Sequence, residues 1–429
     1  MRLWLCADFV DAWREGTLIM PVRMEDVPAL APRPARPRAW RWLGLLAFCL
    51  LLGAGGMVSF TPEALHQRPE IFWSLTLGVP FLGWCALGFG RALLYLGERA
   101  VADGWDQARE EDLFQKTRQG RRFLRVLNVD LHTALRAPGE EPAVQLEALQ
   151  SGIKVQRMQP SRLASSSSCH SRLPGDAAEE LEPVLLRTLQ QLLGELAPTL
   201  AQLPPHTPLA LLLAGDTGLS GPAWDRTWAQ AWQASAIRQV PVSLEGDGLD
   251  ALDQWLDQRF DERAVLLVIA LQFAPRQPEG TAEVVAGLLL GNPLAQTILA
   301  PIAFLHRPEQ ERQPCSDALG DAATQALAWV PLEAESIRHV WLAGVNAQRH
   351  AALTSVSHQL TIPMLHAQGL RDLDAALGNP GKVSPWLAIV AATQAIQVGS
   401  GAQFIFSGNG CADSRLWSMA LTPAPSLSE

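Results

Sequence analysis

Lysine is nearly absent from this sequence of 429 residues. Only Lys116, Lys154 and Lys382 stand beside 31 arginines, a skew read as codon bias. Metal and disulfide patterns are missing too. The six cysteines, at 6, 49, 85, 169, 315 and 411, form no CxxC pair, which argues against a zinc knuckle or a disulfide framework. The nine histidines show no HxH or HExxH spacing. His350, His358 and His366 recur every eight residues, but Pro363 breaks any helix that would align all three. Charge is scarce as well. Charged residues make up 18% of the chain, below the roughly 25% of ordinary soluble domains. The deficit is local: residues 42–62 and 71–90 carry no charge at all. With 48% hydrophobic residues, disorder and collagen are excluded, and a wholly soluble chain is disfavoured.

What is present in those runs reads as membrane. A helix needs about 20 apolar residues to cross the hydrocarbon core. Trp42–Phe60 meets that length, with Trp40 and Trp42 at the level of an aromatic belt. Ile71–Gly90 meets it again and extends through ALLYLG to Tyr95 and beyond. Pro80 predicts a kink, and Gly53, Gly55, Gly56, Ala86 and Gly90 predict close helix contact. The segment between them is short enough to be only a hairpin turn. Arg33, Arg36, Arg38 and Arg41 precede the first span, and Arg91 and Arg99 flank the second, against Arg68 alone in the turn. The positive-inside rule puts both termini in the cytoplasm.

The remaining organisation follows from composition. Residues 1–41 read as a short cytoplasmic extension and a Pro/Arg-rich linker, 42–97 as the transmembrane hairpin, and 98–120 as a juxtamembrane helix. Arg118, Arg121, Arg122 and Arg125 form a basic cluster suited either to anionic lipid or to a solvated helix end. From 121 to 429 strands and helices alternate, in two halves at 121–310 and 311–429, which predicts an α/β domain with a buried mixed sheet. Strands are expected at 122–135, 208–215, 264–273, 337–345 and 402–408. Helices are expected at 179–203, 222–236, 281–290, 316–329 and 385–399. Residues 150–178 read as a loop, and RLWSMALTP near the end as an edge strand. Residues 98–429 have 25 basic and 36 acidic side chains, so broad nucleic-acid binding is not expected. The bilayer and a protein partner are the expected contacts, and self-association is compatible with the small-residue helix faces.

The chemistry-bearing candidates are sparse. GDTGLSG at 215–221 follows a strand and opens a helix, where α/β proteins bind ligands. It lacks the GxGxxG and Walker A spacings and carries Asp216, so an ordinary turn is favoured over a phosphate loop. Cys169–His170 combines a thiol with a base, but adjacent residues seldom make such a pair. No catalytic, cofactor-binding or metal-ligating residue is assigned, and no cofactor is expected.

Two resemblances add to this. The segment LGNPGKVSPWLAIVAATQAIQVGSGAQFIFSGNG resembles the closing segment of thiolase-like and ketosynthase folds. Lys382 and the small-residue helix 387–395 match that family. The family's histidine is missing, because Ser384, Pro385 and Trp386 occupy its place, and no cysteine ends an early strand as the family's nucleophile would. Separately, DGWDQAREEDL and RQGRRFLRVL, within residues 103–127, resemble two-helix inner-membrane proteins encoded beside type VI secretion genes in proteobacteria. Together these readings favour a membrane-anchored, non-enzymatic accessory protein linked to type VI secretion or effector loading. The alternative is a thiolase-like acyl-transfer enzyme acting at the membrane surface, with Cys169, Cys315 and Cys411 as the thiols to watch.

Overall fold

The structure, a computed structural model, describes residues 24, 27–60, 69–137, 139–163, 166–175, 179–293, 298–330, 332–362, 369–411 and 413–425. The extension expected over residues 1–20, the hairpin turn with Arg68, and His366 lie outside these. The chain divides into two compact units, residues 22–117 and the portion from Arg118 onward.

In the first unit, α1 (Ala39–Phe60) is followed by a short helix (Pro69–Trp73), a π-helical turn (Ser74–Gly78) and α2 (Val79–Gly120). Two helices here are long and apolar enough to cross a bilayer. Leu51, Leu82, Phe89 and Leu94 are all more than half exposed, so none of the described residues covers these faces. The widened turn answers Pro80. Its ring cannot accept a regular helix at the carbonyl four residues back, and the π turn opens the backbone there. Thr76 uses its freed position to donate Oγ1 to Phe72 O at 2.6 Å. Gly53 of α1 meets this point, since a Cβ would lie 2.5 Å from both Pro80 Cγ and Thr76 O. Trp84 Nε1 donates to Trp42 O at 2.8 Å across the same pair. The separate juxtamembrane helix expected at 98–120 is instead the continuation of α2, because nothing between Tyr95 and Asp103 breaks it. The proline-rich linker lies along α2: Arg33 pairs with Asp103 and Asp106, and Arg109 Nε donates to Pro28 O.

The second unit holds α3 (Pro142–Ser151), α4 (Leu181–Ala201), α5 (Gly221–Ala234), α6 (Gly248–Gln258), α7 (Ser316–Ala328), α8 (His350–Gln359) and α9 (Ser384–Gln397). Its strands are β1 (Phe123–His132), β2 (Arg157–Pro160), β3 (Ser167–His170), β4 (Leu209–Thr217), β5 (Pro241–Ser243), β6 (Val265–Phe273), β7 (Val284–Gly291), β8 (Ala303–His306), β9 (Glu309–Gln310), β10 (His339–Ala343), β11 (Leu370–Asp372), β12 (Gln403–Ser407) and β13 (Trp417–Pro423). The main sheet runs β11-β10-β12-β13-β8-β1-β7-β6-β4-β5, with β9 on β13.

One motif is built twice. β4-α5-β5-α6-β6-β7 and β10-α8-β11-α9-β12-β13 follow the same chain order. In both, the first strand pairs in parallel with the second and third, and the fourth runs antiparallel to the third. Strands β1 and β8 join the two copies. Helices α6 and α9 are equivalent by this repeat, and their apolar residues share one core with the inner faces of both halves. α9 is buried over thirteen of its fourteen residues, which explains its uncharged, small-residue sequence. A second core lies under α4 and α5, and a third under α7 and α8.

Three expectations are corrected. Residues 281–290 are not a helix; Val284–Gly291 is strand β7. A strand buried on both faces shows no alternation and cannot be told from a small-residue helix by period. Its small residues serve packing, as a Cβ on Gly287 would lie 2.9 Å from Leu196 Cδ1 of α4. The 150–178 loop contains the β2–β3 hairpin. The terminal strand is interior rather than an edge, because β13 pairs with β12 on one side and β8 and β9 on the other.

Candidate functional site

In parallel α/β sheets, chain segments leaving the carboxyl ends of strands build ligand sites. Here three such segments converge within the second unit, after β5, β11 and β12. They enclose a cleft of about 350 Å³ whose walls include Asp247, Gly248, Lys382, Pro385, Asn409 and Arg415. α6 and α9 both begin at it. No side chain caps the first turn of α6, so its leading N–H groups stay free for another acceptor, whereas α9 continues a 3-10 turn (Gly381–Val383) in which Ser384 N already donates to Gly381 O.

The approach to α9 is fixed from several sides. Asn379 Oδ1 accepts from Gly381 N at 2.8 Å, and Ser384 Oγ donates to Gly381 O at 2.6 Å. Gln272 of β6 donates Nε2 to Asn379 O at 3.1 Å, tying the loop to the other half. Gly381 sits at φ +60°, and a Cβ there would lie 2.5 Å from Gln272 Oε1. The floor is tighter still: Gly344 at φ +67° lies against Gly408 O, 2.3 Å from where a Cβ would be. Asp374 locks the turn after β10, accepting from Gly344 N and Val345 N at 2.9 Å each. Burial pushes its carboxyl up to about 7.

Lys382 Nζ stands 3.3 Å from Asp247 Oδ2, with both side chains more than half exposed. Each sits at the mouth of one of the two equivalent helices. Burial raises the Asp250 carboxyl above its usual range, with Arg415 opposing and Asp247 adding to the rise.

Beneath this, α6 is held at its far end by charge. Arg307, 1% exposed, donates to both carboxylate oxygens of Asp257 at 2.7 and 2.8 Å, pairs with Asp253 at 2.7 Å, and reaches Gln119 O. Arg122 donates to the terminal carbonyls Leu256 O and Asp257 O. Glu309 accepts from Trp329 Nε1 at 2.5 Å, and burial pushes its carboxyl up to about 7. Burial likewise lifts Asp253 to about 6.

The residues singled out from sequence are scattered. Of the basic cluster, Arg118 and Arg121 are exposed, but Arg122 is half-buried and spent on α6, and Arg125 lies half-buried within β1. They do not make one lipid-facing patch. Arg36 and Arg38 precede α1, Arg41 lies in its first turn and Arg91 lies within α2, while Arg99 sits 3.7 Å from Asp103 on α2. Cys169 and His170 project from opposite faces of β3, and the His170 ring bonds to Ser168 instead. Cys315 caps α7, its Sγ accepting from Ala318 N. Cys411 is exposed on the loop that borders the cleft, where its N–H donates to Asn409 Oδ1. In the GDTGLSG turn, Cβ atoms on Gly215 or Gly218 would strike the carbonyls of Leu271 and Ala274, so these glycines serve backbone packing. Asp247 and Arg415 were not singled out; the repeated strand–helix order is the signal that locates Asp247, as the residue opening the helix equivalent to α9.

Comparison with solved structures decides the fold. A type II polyketide ketosynthase in complex with its acyl-carrier protein, AntDE:AntF, matches over 71% of this chain and 100% of that one, at 11% identity and a TM-score of 0.50. The fold is thiolase-like. A ketosynthase from module 6 of the Bacillus subtilis 168 bacillaene synthase is also similar, over 71% of both chains, at 10% identity and a TM-score of 0.49. The PfaC keto synthase–chain length factor matches over 72% of this chain at 13% identity and a TM-score of 0.48, and this chain spans 43% of its length. No protein-family model matches the sequence, and no curated protein matches it. The expectation of a non-enzymatic accessory domain is thereby corrected. The domain shares the fold of the ketosynthase in that complex, which fits the alternative expectation of a thiolase-like domain better. The thiolase-like cleft carries Lys382 and Asp247 at its two helix mouths, and a histidine at neither.

Proposed function

We propose that the chain is an acyl-transfer enzyme whose reaction centre is the cleft at the start of α6 and α9. The observation that carries this is the convergence of the uncapped N-terminus of α6, Asp247 and Lys382 on one cleft. A carbonyl oxygen placed there meets the free N–H groups of α6 and the Lys382 ammonium where negative charge develops during acyl transfer. Asp247 supplies the base. Its carboxylate takes the proton of an acceptor hydroxyl or amine as the acceptor's lone pair bonds to the thioester carbon. The tetrahedral oxyanion then collapses, the carbon–sulfur bond breaks, and the departing thiolate receives that proton. The matched ketosynthase is bound to an acyl-carrier protein, and a carrier-borne thioester is the corresponding donor here.

The test is turnover of a short acyl N-acetylcysteamine thioester by the full chain in detergent, with an amine acceptor. Lys382→Ala and Asp247→Asn should each lower kcat/KM by about 10²-fold, the loss typical of an oxyanion donor or general base. No turnover above the blank, or turnover indifferent to both substitutions, would sink the proposal.

The setting proposed is the bacterial inner membrane, with α1 and the apolar part of α2 as anchor and both termini cytoplasmic. The two apolar, uncovered helices and the arginine asymmetry support it. The likeness of residues 103–127 to inner-membrane proteins encoded beside type VI secretion genes points the same way. Alkaline phosphatase fused after Glu429 should be silent, and fused near His66 active. The reverse pattern would put the α/β unit outside the cytoplasm.

A further inference from the structure

A second cavity, of about 280 Å³, lies at the end of β1, between that strand, residues 136, 137 and 139–142, and one face of α4. Its floor is charged and buried. Asp130, His132 and Arg136 are 2%, 8% and 8% exposed. Arg136 Nη1 donates to Asp130 Oδ1 and to Leu131 O, and His132 Nε2 lies 3.0 Å from Asp130 Oδ2. Fully buried Gln145 of α3 clamps the same strand end: its Nε2 donates to Leu131 O, and its Oε1 accepts from Thr133.

A buried trio of ionisable groups is a poor way to gain stability, because apolar residues of similar size do as well. The trio's unused donors give it another purpose. Among the described residues, Arg136 bonds to protein only through Nη1, and His132 contacts its partner only through Nε2. Guanidinium Nε and Nη2 are therefore spare, on a side chain that lines the cavity. This is a donor set for a carboxylate. The outer lining has the opposite sign. Glu141 and Glu195 are exposed there, while Arg187 is paired with Glu179 at 3.0 Å. An acidic rim disfavours a multiply charged anion and attracts an ammonium.

We infer that this cavity binds a small zwitterion of amino-acid size, its carboxylate held by the free edge of the Arg136 guanidinium and its ammonium by the glutamates of the rim. The volume admits an amino acid and is too small for a nucleotide. The site is distinct from the cleft and stands whether or not that cleft transfers acyl groups.

Isothermal titration of the full chain in detergent against individual L-amino acids, acetate and methylamine tests it. At least one amino acid should bind saturably, and neither half-ligand should bind at the same concentrations. Arg136→Lys, which keeps charge but loses the fork, should weaken binding at least tenfold. Glu195→Gln, at an exposed position of α4, leaves the fold intact and should weaken binding several-fold, while Lys382→Ala should leave it unchanged. Acetate binding as tightly as any amino acid, no binding across the amino acids, or unchanged affinity in Glu195→Gln would overturn the inference.

Discussion

Arg307→Met should destabilise the α/β unit by about 3–5 kcal/mol, the cost of breaking a buried ion pair from one side. The guanidinium is 1% exposed and serves Asp253, Asp257 and the carbonyl of Gln119 together. Removing it leaves the two aspartates and nearby Glu309 facing Arg122 and Arg312 as the remaining cations. The loss should depend on pH. Burial already raises Asp253 to about 6 and Glu309 to about 7 in the native protein. A carboxyl raised in the folded state binds its proton more tightly there than when unfolded. Its contribution is fully present below the unfolded value and fades as pH rises through the folded one. Without Arg307 these carboxyls rise further, so the variant should recover part of its stability at pH 5 and lose most at pH 8. Urea unfolding at the two pH values reads this directly. A cost under about 1 kcal/mol, or one equal at both pH values, would show that the cluster is not what holds the end of α6.

Trp386→Ala should cost about 3–5 kcal/mol, the range for emptying a large aromatic site in a core. Trp386 is fully buried in the first turn of α9, next to Pro385 at the cleft wall. Its Nε1 has no hydrogen-bond partner among the described residues. Trp386→Phe gives up no hydrogen bond and leaves a smaller cavity, so it should cost clearly less than Trp386→Ala. Calorimetry on the two variants separates volume from polarity. Equal losses would mean that the indole N–H is bonded after all.

Most of the fold was legible because its elements obey simple periods. α4 shows leucines at helical spacing, β4 and β6 are continuous apolar runs bounded by turn residues, and the sequence of α9 announces a helix with no exposed face. The misreading of β7 has a physical cause: packed between α4 and the central helices, it carries small residues on both faces. The site was harder to read. Lys382 was visible through the resemblance to thiolase-like proteins, but Asp247 lies 135 residues earlier in the chain, and only the three-dimensional repeat brings it to Lys382. Arg415 arrives from a third segment. Single residues far apart in sequence leave no spacing to recognise. The cysteines drew attention as nucleophiles, yet Cys169 sits in a hairpin and Cys315 caps a helix, where neither lines the cleft.

The central claim is that acyl thioesters react at the mouths of α6 and α9. A photoreactive acyl-thioester analogue, cross-linked to the full chain in detergent and mapped by peptide mass spectrometry, tests it most directly. The account predicts labels confined to residues 247–250, 382–385 and 408–417, and displaced by excess unlabelled thioester. Labels that concentrate elsewhere, or that persist undiminished under competition, would contradict it.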